Sequence, residues 1–298
     1  MICNETTGIG TMDILNILNQ TVRALDLSGS TTSRLDAEVL LSSYLKKDRT
    51  SLYTHPEHLL TEKDLEEFHH LVERRKLGEP VAYIVGKKEF WSLLFEVNRH
   101  ILVPRPETEI LVEEVLKVCS GIGEKNLKIL EIGTGCGAIS VSLASELKEA
   151  QIIATDISQE AIAVAMRNAQ NNGVENRISF LSGNLFHPVS GKFDIVVSNP
   201  PYISQEEYDQ LPLEVRGFEP KSALLTGVDG TAFHRKIIKG APVCLKVGGW
   251  LLMEIGSGQK DQVEFILKES NLYDNITFRA DYGGIERVSI ARRVMKSG

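Results

Sequence analysis

The stretch Lys128-Ile129-Leu130-Glu131-Ile132-Gly133-Thr134-Gly135-Cys136-Gly137-Ala138 runs from an apolar, β-branched segment into a glycine-rich turn and then into a helical pattern. An apolar run of this length fits a buried strand, and the glycines let backbone pass close to a ligand just before a helix begins. Gly133, Gly135 and Ala138 satisfy the spacing G-x-G-x-x-G/A, and Asp156 ends the next strand-like run, 21 residues after Gly135 (156 − 135). An acid at that place is suited to holding a ribose, although a single Asp also suits the N-terminus of the following helix. These residues alone admit a nicotinamide enzyme and an enzyme with another nucleoside cofactor. Cys136 has no histidine near it in sequence and reads as a small loop residue rather than a nucleophile.

Outward from this turn, short β-branched runs alternate with helical windows. Strands are expected at 128–132, 152–155, 178–181, 193–198, 250–254, 276–279 and 288–292, and helices at 107–118, 138–147, 159–171, 231–244 and 259–267. Alternating βα units demand a mostly parallel sheet covered on both faces. The last two strands are separated by only Ala280 to Arg287, too short for a helical crossover, so they should pair antiparallel. Residues 1–86 read instead as a small helical bundle. Leu15, Ile17, Leu18, Val22 and Leu25, then Leu35, Val39, Leu40, Leu41 and Leu45, then Leu65, Phe68, Leu71 and Val72 recur at helical steps as core faces. Ser33 is expected to cap the second helix, Thr61 with Asp64 the third, and Gly78-Glu79-Pro80 to stop it. Residues 87–103, with Asn98-Arg99 as a turn before Ile101-Leu102-Val103, read as a β-hairpin linking this bundle to an α/β domain at 104–298.

The 298 residues are 42% hydrophobic with a formal net charge of −7, enough for a sizeable core split between two domains. That charge argues against a broad basic surface for nucleic acid and favours a protein or small-molecule substrate. The cysteines Cys3, Cys119, Cys136 and Cys244 show no paired spacing and none with the seven histidines, so neither a disulfide framework nor a metal site is expected. With neither a targeting segment at the N-terminus nor an uninterrupted apolar span, the expected location is cytoplasmic, with no membrane partner.

The fourth strand, Phe193-Asp194-Ile195-Val196-Val197-Ser198, runs straight into Asn199-Pro200-Pro201-Tyr202. Two consecutive prolines fix φ and remove two backbone donors, so this turn holds its shape and leaves the Pro200 carbonyl and the Asn199 amide facing outward. Open α/β sheets do their chemistry at such strand ends, and this device suits a substrate that is itself an amide or amine. Gly183-Asn184-Leu185 follows the third strand and Glu131 stands inside the first βα turn, which places polar groups at the ends of four successive strands.

This set resembles class I S-adenosylmethionine-dependent methyltransferases, a Rossmann-like α/β fold, and the Asn-Pro-Pro-Tyr form is similar to members that methylate planar nitrogens. Gly86-Lys87-Lys88-Glu89-Phe90-Trp91, Pro104-Arg105-Pro106-Glu107-Thr108-Glu109, Phe218-Glu219-Pro220 with Ala223-Leu224, and Glu286-Arg287-Val288 sharpen the match. Together with the helical N-terminus they resemble the release factor glutamine methyltransferase family (PrmC/HemK). The resemblance implies methyl transfer from S-adenosylmethionine, without a metal, to the side-chain amide nitrogen of the glutamine in the Gly-Gly-Gln loop of class I peptide chain release factors. It implies that Glu131, Gly133, Thr134, Gly135, Gly137, Asp156, Ile157, Asn184, Leu185 and Asn199 hold the cofactor, with Glu131 at its amino-acid part and Asp156 at its ribose. Asn184 stands where related sequences often carry Asp, so the acceptor for the adenine amino group is neutral here.

For such a substrate, catalysis is expected of Asn199, Pro200 and Tyr202. The Asn199 side-chain oxygen and the Pro200 carbonyl should accept the two hydrogens of the glutamine NH2, and Tyr202 should pack on the flat amide. Pro201 and Glu219 complete the substrate set, Glu219 from a connection of the kind that carries specificity or, equally, as a solvent-facing residue before a short helix. Arg105 and Glu107 are expected to order the domain junction or the substrate loop. The alternative is a methyltransferase acting on an adenine or guanine amino group flipped into the same cleft, against which the acidic balance speaks. A nicotinamide oxidoreductase leaves the Asn199 turn and Glu131 without a task, and a non-enzymatic adaptor leaves the whole motif set without one.

Overall fold

The computed structural model describes residues 11–295. Cys3 and the N-terminal stretch read for targeting lie outside the described residues; Cys119, Cys136 and Cys244 are free and buried. Two compact units are distinguished: residues up to Gly86 together with Leu213–Phe218, and Lys87–Pro212 together with the chain from Glu219 onward.

The first unit is helical, built on Ile14–Leu27, Ser33–Leu45 and Glu62–Lys76. Thr61 and Asp64 form the expected reciprocal capping box. Ser33 is not the cap of its helix: Thr32 holds that place, and the Ser33 hydroxyl donates back to the Ser30 carbonyl at 3.0 Å. Ile14, Leu18, Leu25, Leu40, Leu41, Leu65 and Phe68 make the core. Leu15 and Leu35, expected inside, are 50% and 46% exposed, because a three-and-four spacing also admits residues one step off the buried stripe. A short helix, Val81–Val85, starts after Pro80, which the reading of Gly78-Glu79-Pro80 as a plain stop did not anticipate. Leu213–Phe218, carried in sequence by the sheet domain, folds with these helices. There Arg75 donates to Asp36 at 2.8 Å and pairs with Glu214 at 2.9 Å, and both the Arg75 and Asp36 side chains are buried.

The second unit holds a seven-stranded sheet. Its strands are β1 (Lys128–Ile132), β2 (Gln151–Asp156), β3 (Ile178–Ser182), β4 (Phe193–Ser198), β5 (Leu245–Glu254), β6 (Tyr273–Ala280) and β7 (Glu286–Arg293), in spatial order 6-7-5-4-1-2-3. Neighbours from β3 to β5 pair parallel, and β7 runs antiparallel to both β5 and β6, as the short last connection requires. β4 is buried at every position, the pattern of a central strand covered on both faces. Between β1 and β4 the winding changes direction, and a crevice opens beyond their carboxyl ends.

The hairpin is shorter than expected and turns elsewhere. Lys87–Phe90 pairs with Leu93–Glu96 around Trp91 and Ser92, whose φ values of 53° and 55° are those of a two-residue turn matched to strand twist. Asn98 instead closes a side-chain turn onto the His100 amide at 2.9 Å, and Ile101 and Val103 are buried without forming a strand. An alternating apolar run cannot tell a strand from a buried loop. Asn168, fully buried on helix Gln159–Asn171, bonds the Glu96 amide and carbonyl and the Cys136 carbonyl, so the hairpin is tied to the glycine turn.

Candidate functional site

The carboxyl ends of β1 to β4 surround a cavity of about 360 Å³. In the glycine turn, Gly133 and Gly135 take φ of 77° and 56°, a left-handed conformation that costs side-chain-bearing residues energy. This conformation turns their amides inward. The Gly133 and Thr134 amides donate to the Thr155 carbonyl at 2.8 and 2.9 Å, and the Gly135 amide to Asp156 Oδ2 at 2.9 Å. At the start of helix Ala138–Glu146 the Ser140 amide donates to Glu131 Oε2 at 3.2 Å, and Thr134 Oγ1 donates to the same oxygen at 2.7 Å. A pyrophosphate needs these donors and this helix end. Here the amides of Gly133, Thr134, Gly135 and Ser140 are spent on strand, Asp156 and Glu131, which speaks against the nicotinamide reading.

Glu131 is 1% exposed and its second oxygen, Oε1, has no hydrogen-bond partner. Burial pushes this carboxyl up to about 7, against the bonds from Thr134 and Ser140. An unsatisfied buried carboxylate oxygen on a cavity wall asks for a cation or a donor, which the ammonium of an amino-acid-bearing cofactor supplies. Asp156 accepts from Gly135 and, at 2.9 Å, from the Ser158 amide, each oxygen keeping a lone pair for a ribose hydroxyl. Burial raises its pKa as well. Ile157, 69% exposed, and Leu185 give the cavity apolar surface beside Asp156, and Asn184 lines it with an exposed side chain. A nucleoside joined to an amino acid therefore fits this lining. Gly137 does not line the cavity; a Cβ there would meet the Ala165 Cβ at 3.2 Å, so it serves close helix packing. Cys136 is buried, and burial pushes its thiol up to about 12, far from a thiolate at neutral pH.

At the other wall, Ser198 Oγ donates to the Ile132 carbonyl at 2.7 Å and locks the end of β4 to that of β1. Asn199, Pro200 and Pro201 line the cavity. Asn199 Nδ2 donates to Thr108 Oγ1 at 3.2 Å, and Thr108 Oγ1 donates to Glu254 Oε2 at 2.7 Å. Tyr202 does not line the cavity: its hydroxyl turns onto Glu254 Oε1 at 3.3 Å and its carbonyl accepts from Gln259 Nε2 at 2.7 Å. Glu254, at the end of β5, is 1% exposed, and burial pushes its carboxyl up to about 7. Glu219 is neither on the cavity wall nor facing solvent. It is 5% exposed, bonded to Arg105 at 2.5 Å and to the Val103 amide at 3.3 Å, so Arg105 ties the chain leaving the hairpin to the Glu219 connection, both within the sheet unit.

Sequence reasoning thus located the glycine turn, Asp156, Asn184, Leu185 and the Asn199 turn, which the fold gathers around one cavity. It missed Ser140, Thr108 as a partner of Asn199, and Glu254, whose neighbours lie far away in sequence. The only local sign of Thr108 was its place in Pro104-Arg105-Pro106-Glu107-Thr108-Glu109. Among the described residues no group of three or more His, Cys, Asp or Glu side chains is gathered where a metal ion would be held, and no helix is long and apolar enough to cross a membrane.

Residues 16–86 match the family model of the PrmC N-terminal domain, and residues 106–214 that of the methyltransferase small domain. The chain is similar to a release factor glutamine methyltransferase of Aliivibrio fischeri, 39% identical over 286 residues that cover 95% of this chain and 99% of the relative. It is likewise similar to one of Vibrio cholerae, 41% identical over 277 residues, covering 92% and 95%. Among solved structures, the hMettl16 catalytic domain in complex with MAT2A 3'UTR hairpin 6 covers 79% of this chain and 84% of its own at a TM-score of 0.55 and 14% identity. A methyltransferase from Pyrococcus furiosus covers 67% and 89% at a TM-score of 0.50 and 20% identity. These structural likenesses agree with the strand order in showing the class I methyltransferase fold. The identity, sustained over nearly the whole of both chains, goes further: this chain belongs to the release factor glutamine methyltransferase family.

Proposed function

We propose that this protein transfers a methyl group from S-adenosylmethionine to the side-chain amide nitrogen of the glutamine in the Gly-Gly-Gln loop of class I peptide release factors, in the cytoplasm. The observation that carries the reading is the Asn199 turn, held on the same cavity as a glycine turn whose amides are already spent and whose Glu131 has a free oxygen. In this reading Glu131 Oε1 takes the cofactor's ammonium, Asp156 its ribose hydroxyls, Ile157 and Leu185 its flat base, and Asn184 the adenine amino group.

When bound, S-adenosylmethionine supplies an electrophilic sulfonium methyl. An amide nitrogen is a weak nucleophile because its lone pair is delocalised, so the work left to the protein is orientation. The Asn199 oxygen and the Pro200 carbonyl accept the two N–H groups of the glutamine and aim its nitrogen. Pro200 and Pro201 keep that geometry stiff, and Tyr202 braces the turn from below through Glu254. The proton leaves to solvent once the nitrogen has become positive and acidic, so no strong base is needed in the turn. The helical unit serves to dock the body of the release factor, which predicts new amide protection in its helices when the whole chain is mixed with the factor.

The test is transfer of labelled methyl to a class I release factor, to the same factor with its glutamine replaced, and to total RNA and DNA. Label confined to the intact factor is expected; label on nucleic acid would keep the fold and overturn the substrate.

Cofactor binding should also release protons. With a pKa of about 7 Glu131 is about half protonated at pH 7, and a cation placed at Oε1 favours its ionised form. Affinity should tighten as pH rises through 7. In calorimetry at pH 7, the heat should vary with buffer ionisation enthalpy in the sense of proton release, and Glu131→Gln should remove Glu131's share of that release. Without ligand the sign for stability is opposite: the folded state holds more protons than the unfolded one between about pH 4.3 and 7, so this group's contribution falls as pH rises there.

A further inference from the structure

We propose that Thr108 is a positioning residue for the transfer reaction, held by Glu254 as a one-way hydrogen-bond relay that turns the carbonyl oxygen of the Asn199 side chain toward the substrate. The inference rests on the reading that Asn199 receives a substrate amide. A side-chain amide can turn over and exchange its oxygen for its NH2 with little change in shape. Only the oxygen end accepts from a substrate N–H, so something must choose the end. When ionised, Glu254 accepts and cannot donate, so its Oε2 at 2.7 Å then obliges the Thr108 hydroxyl to spend its one hydrogen there. What remains on Thr108 Oγ1 is lone pairs, and these accept the Asn199 NH2 at 3.2 Å. The reversed amide would set two acceptors against each other. Both Thr108 and Glu254 are buried, so water does not relax the constraint.

The other oxygen of Glu254 accepts from the Tyr202 hydroxyl at 3.3 Å, which anchors the far side of the same turn. One buried carboxylate thus holds both ends of Asn199-Pro200-Pro201-Tyr202. The groups that face Glu254 are Thr108, Tyr202, the favourable charge of Arg287 on β7 and the opposing charge of Glu107, with the ring of His234, whose pKa burial lowers, on its backbone carbonyl at 2.8 Å. Protonating Glu254 gives it a hydrogen to donate, which frees the Thr108 hydroxyl to point at Asn199 and admits the reversed amide. The relay therefore works in the ionised state and loses its direction in acid.

The experiment compares wild type, Thr108→Val, Thr108→Ser and Glu254→Gln in methyl transfer to a release factor at saturating cofactor, with cofactor affinity and unfolding midpoint measured on each. Thr108→Val should lower kcat about 10- to 100-fold, with KM for the factor and cofactor affinity within about threefold, and Thr108→Ser should recover most of kcat. A kcat in Thr108→Val within threefold of wild type overturns the relay, as does a Thr108→Ser variant equally impaired. If Thr108→Val does not fold, the pH profile decides. Wild-type kcat should fall on acidification through about pH 7 and Glu254→Gln should lack that limb; the same limb in Glu254→Gln overturns the proposal. The side-chain NH2 resonances of Asn199, assigned by their loss in Asn199→Ala, need no substrate. They should shift on acidification of the wild type and be displaced in Thr108→Val, or in Glu254→Gln at neutral pH, while resonances unmoved by all of these overturn the relay. Wild type that leaves the factor unlabelled but shows these shifts overturns the substrate reading and keeps the relay.

Discussion

Asn199→Ala should lower kcat for methyl transfer by about 10²–10³-fold while leaving cofactor affinity within a few-fold of wild type. The magnitude is that of losing one preorganised polar group at a reacting centre, where orientation supplies most of the rate. The selectivity follows from how the cavity is divided. The groups suited to the cofactor, Glu131, Asp156 and Ile157, come from β1 and the end of β2, and Asn199 bonds none of them: its Nδ2 goes to Thr108. Truncation leaves Ser198 still bonded to the Ile132 carbonyl and both prolines in place, so the turn keeps its path. Cofactor titration by calorimetry, alongside single-turnover transfer to a release factor, checks both halves. Equal loss of binding and transfer would mean that Asn199 is a cofactor residue first.

Arg75→Ala should destabilise the helical unit by about 3 kcal/mol, the lower end of the range for removing one partner of a buried ion pair. The Asp36 carboxylate stays behind, 6% exposed, with the neutral Ser30 and Thr32 hydroxyls at 2.9 Å as its remaining side-chain donors among the described residues. The Glu214 arm adds little, because that side chain is 41% exposed and its pair is partly screened. Both tryptophans, Trp91 and Trp250, belong to the sheet unit, so their fluorescence does not report on these helices. Hydrogen exchange does. Amides of Ser33–Leu45 and Glu62–Lys76 should open at correspondingly lower free energy while those of β4 keep their protection. Pairing Arg75→Met with Asp36→Asn should recover more than half of the loss, since no charge is then left stranded; an equal loss in the pair would show that packing of the Arg75 stem, not its charge, is what matters.

Much of the site was readable because a strand end and the turn that follows it are contiguous in sequence. Gly133, Gly135, Asp156, Asn184 and Asn199 each follow an apolar run that announces its strand, and parallel pairing then gathers those ends on one edge without further information. Side chains that support them had no such signal. Thr108 and Glu254 are 146 residues apart and Thr108 and Asn199 are 91 apart, so nothing local distinguishes Thr108 from any other residue at a helix start. Tyr202 was placed on the substrate because of its neighbours in sequence, whereas its hydroxyl found a carboxylate on β5. The hairpin turn escaped because Trp91 and Ser92 are neither Gly nor Asn, the residues that usually mark a positive φ, while Asn98 carried the turn signal two residues past the strand.

From the sequence by itself came the alternation of strands and helices, the reversal of the last strand, the glycine turn with its distant acid, and the family to which these residues point. Each of these follows from side-chain periodicity, from connection length or from a contiguous motif, all of which are properties of the chain before it folds. Only the tertiary structure decided that the glycine-turn amides are spent on Thr155 and Asp156, that Leu213–Phe218 folds with the helices through Glu214 and Arg75, and that Glu254 stands beneath the Asn199 turn. These depend on which hydrogen-bonding groups meet once water is excluded, because a buried donor or acceptor must find its partner wherever in the sequence that partner lies.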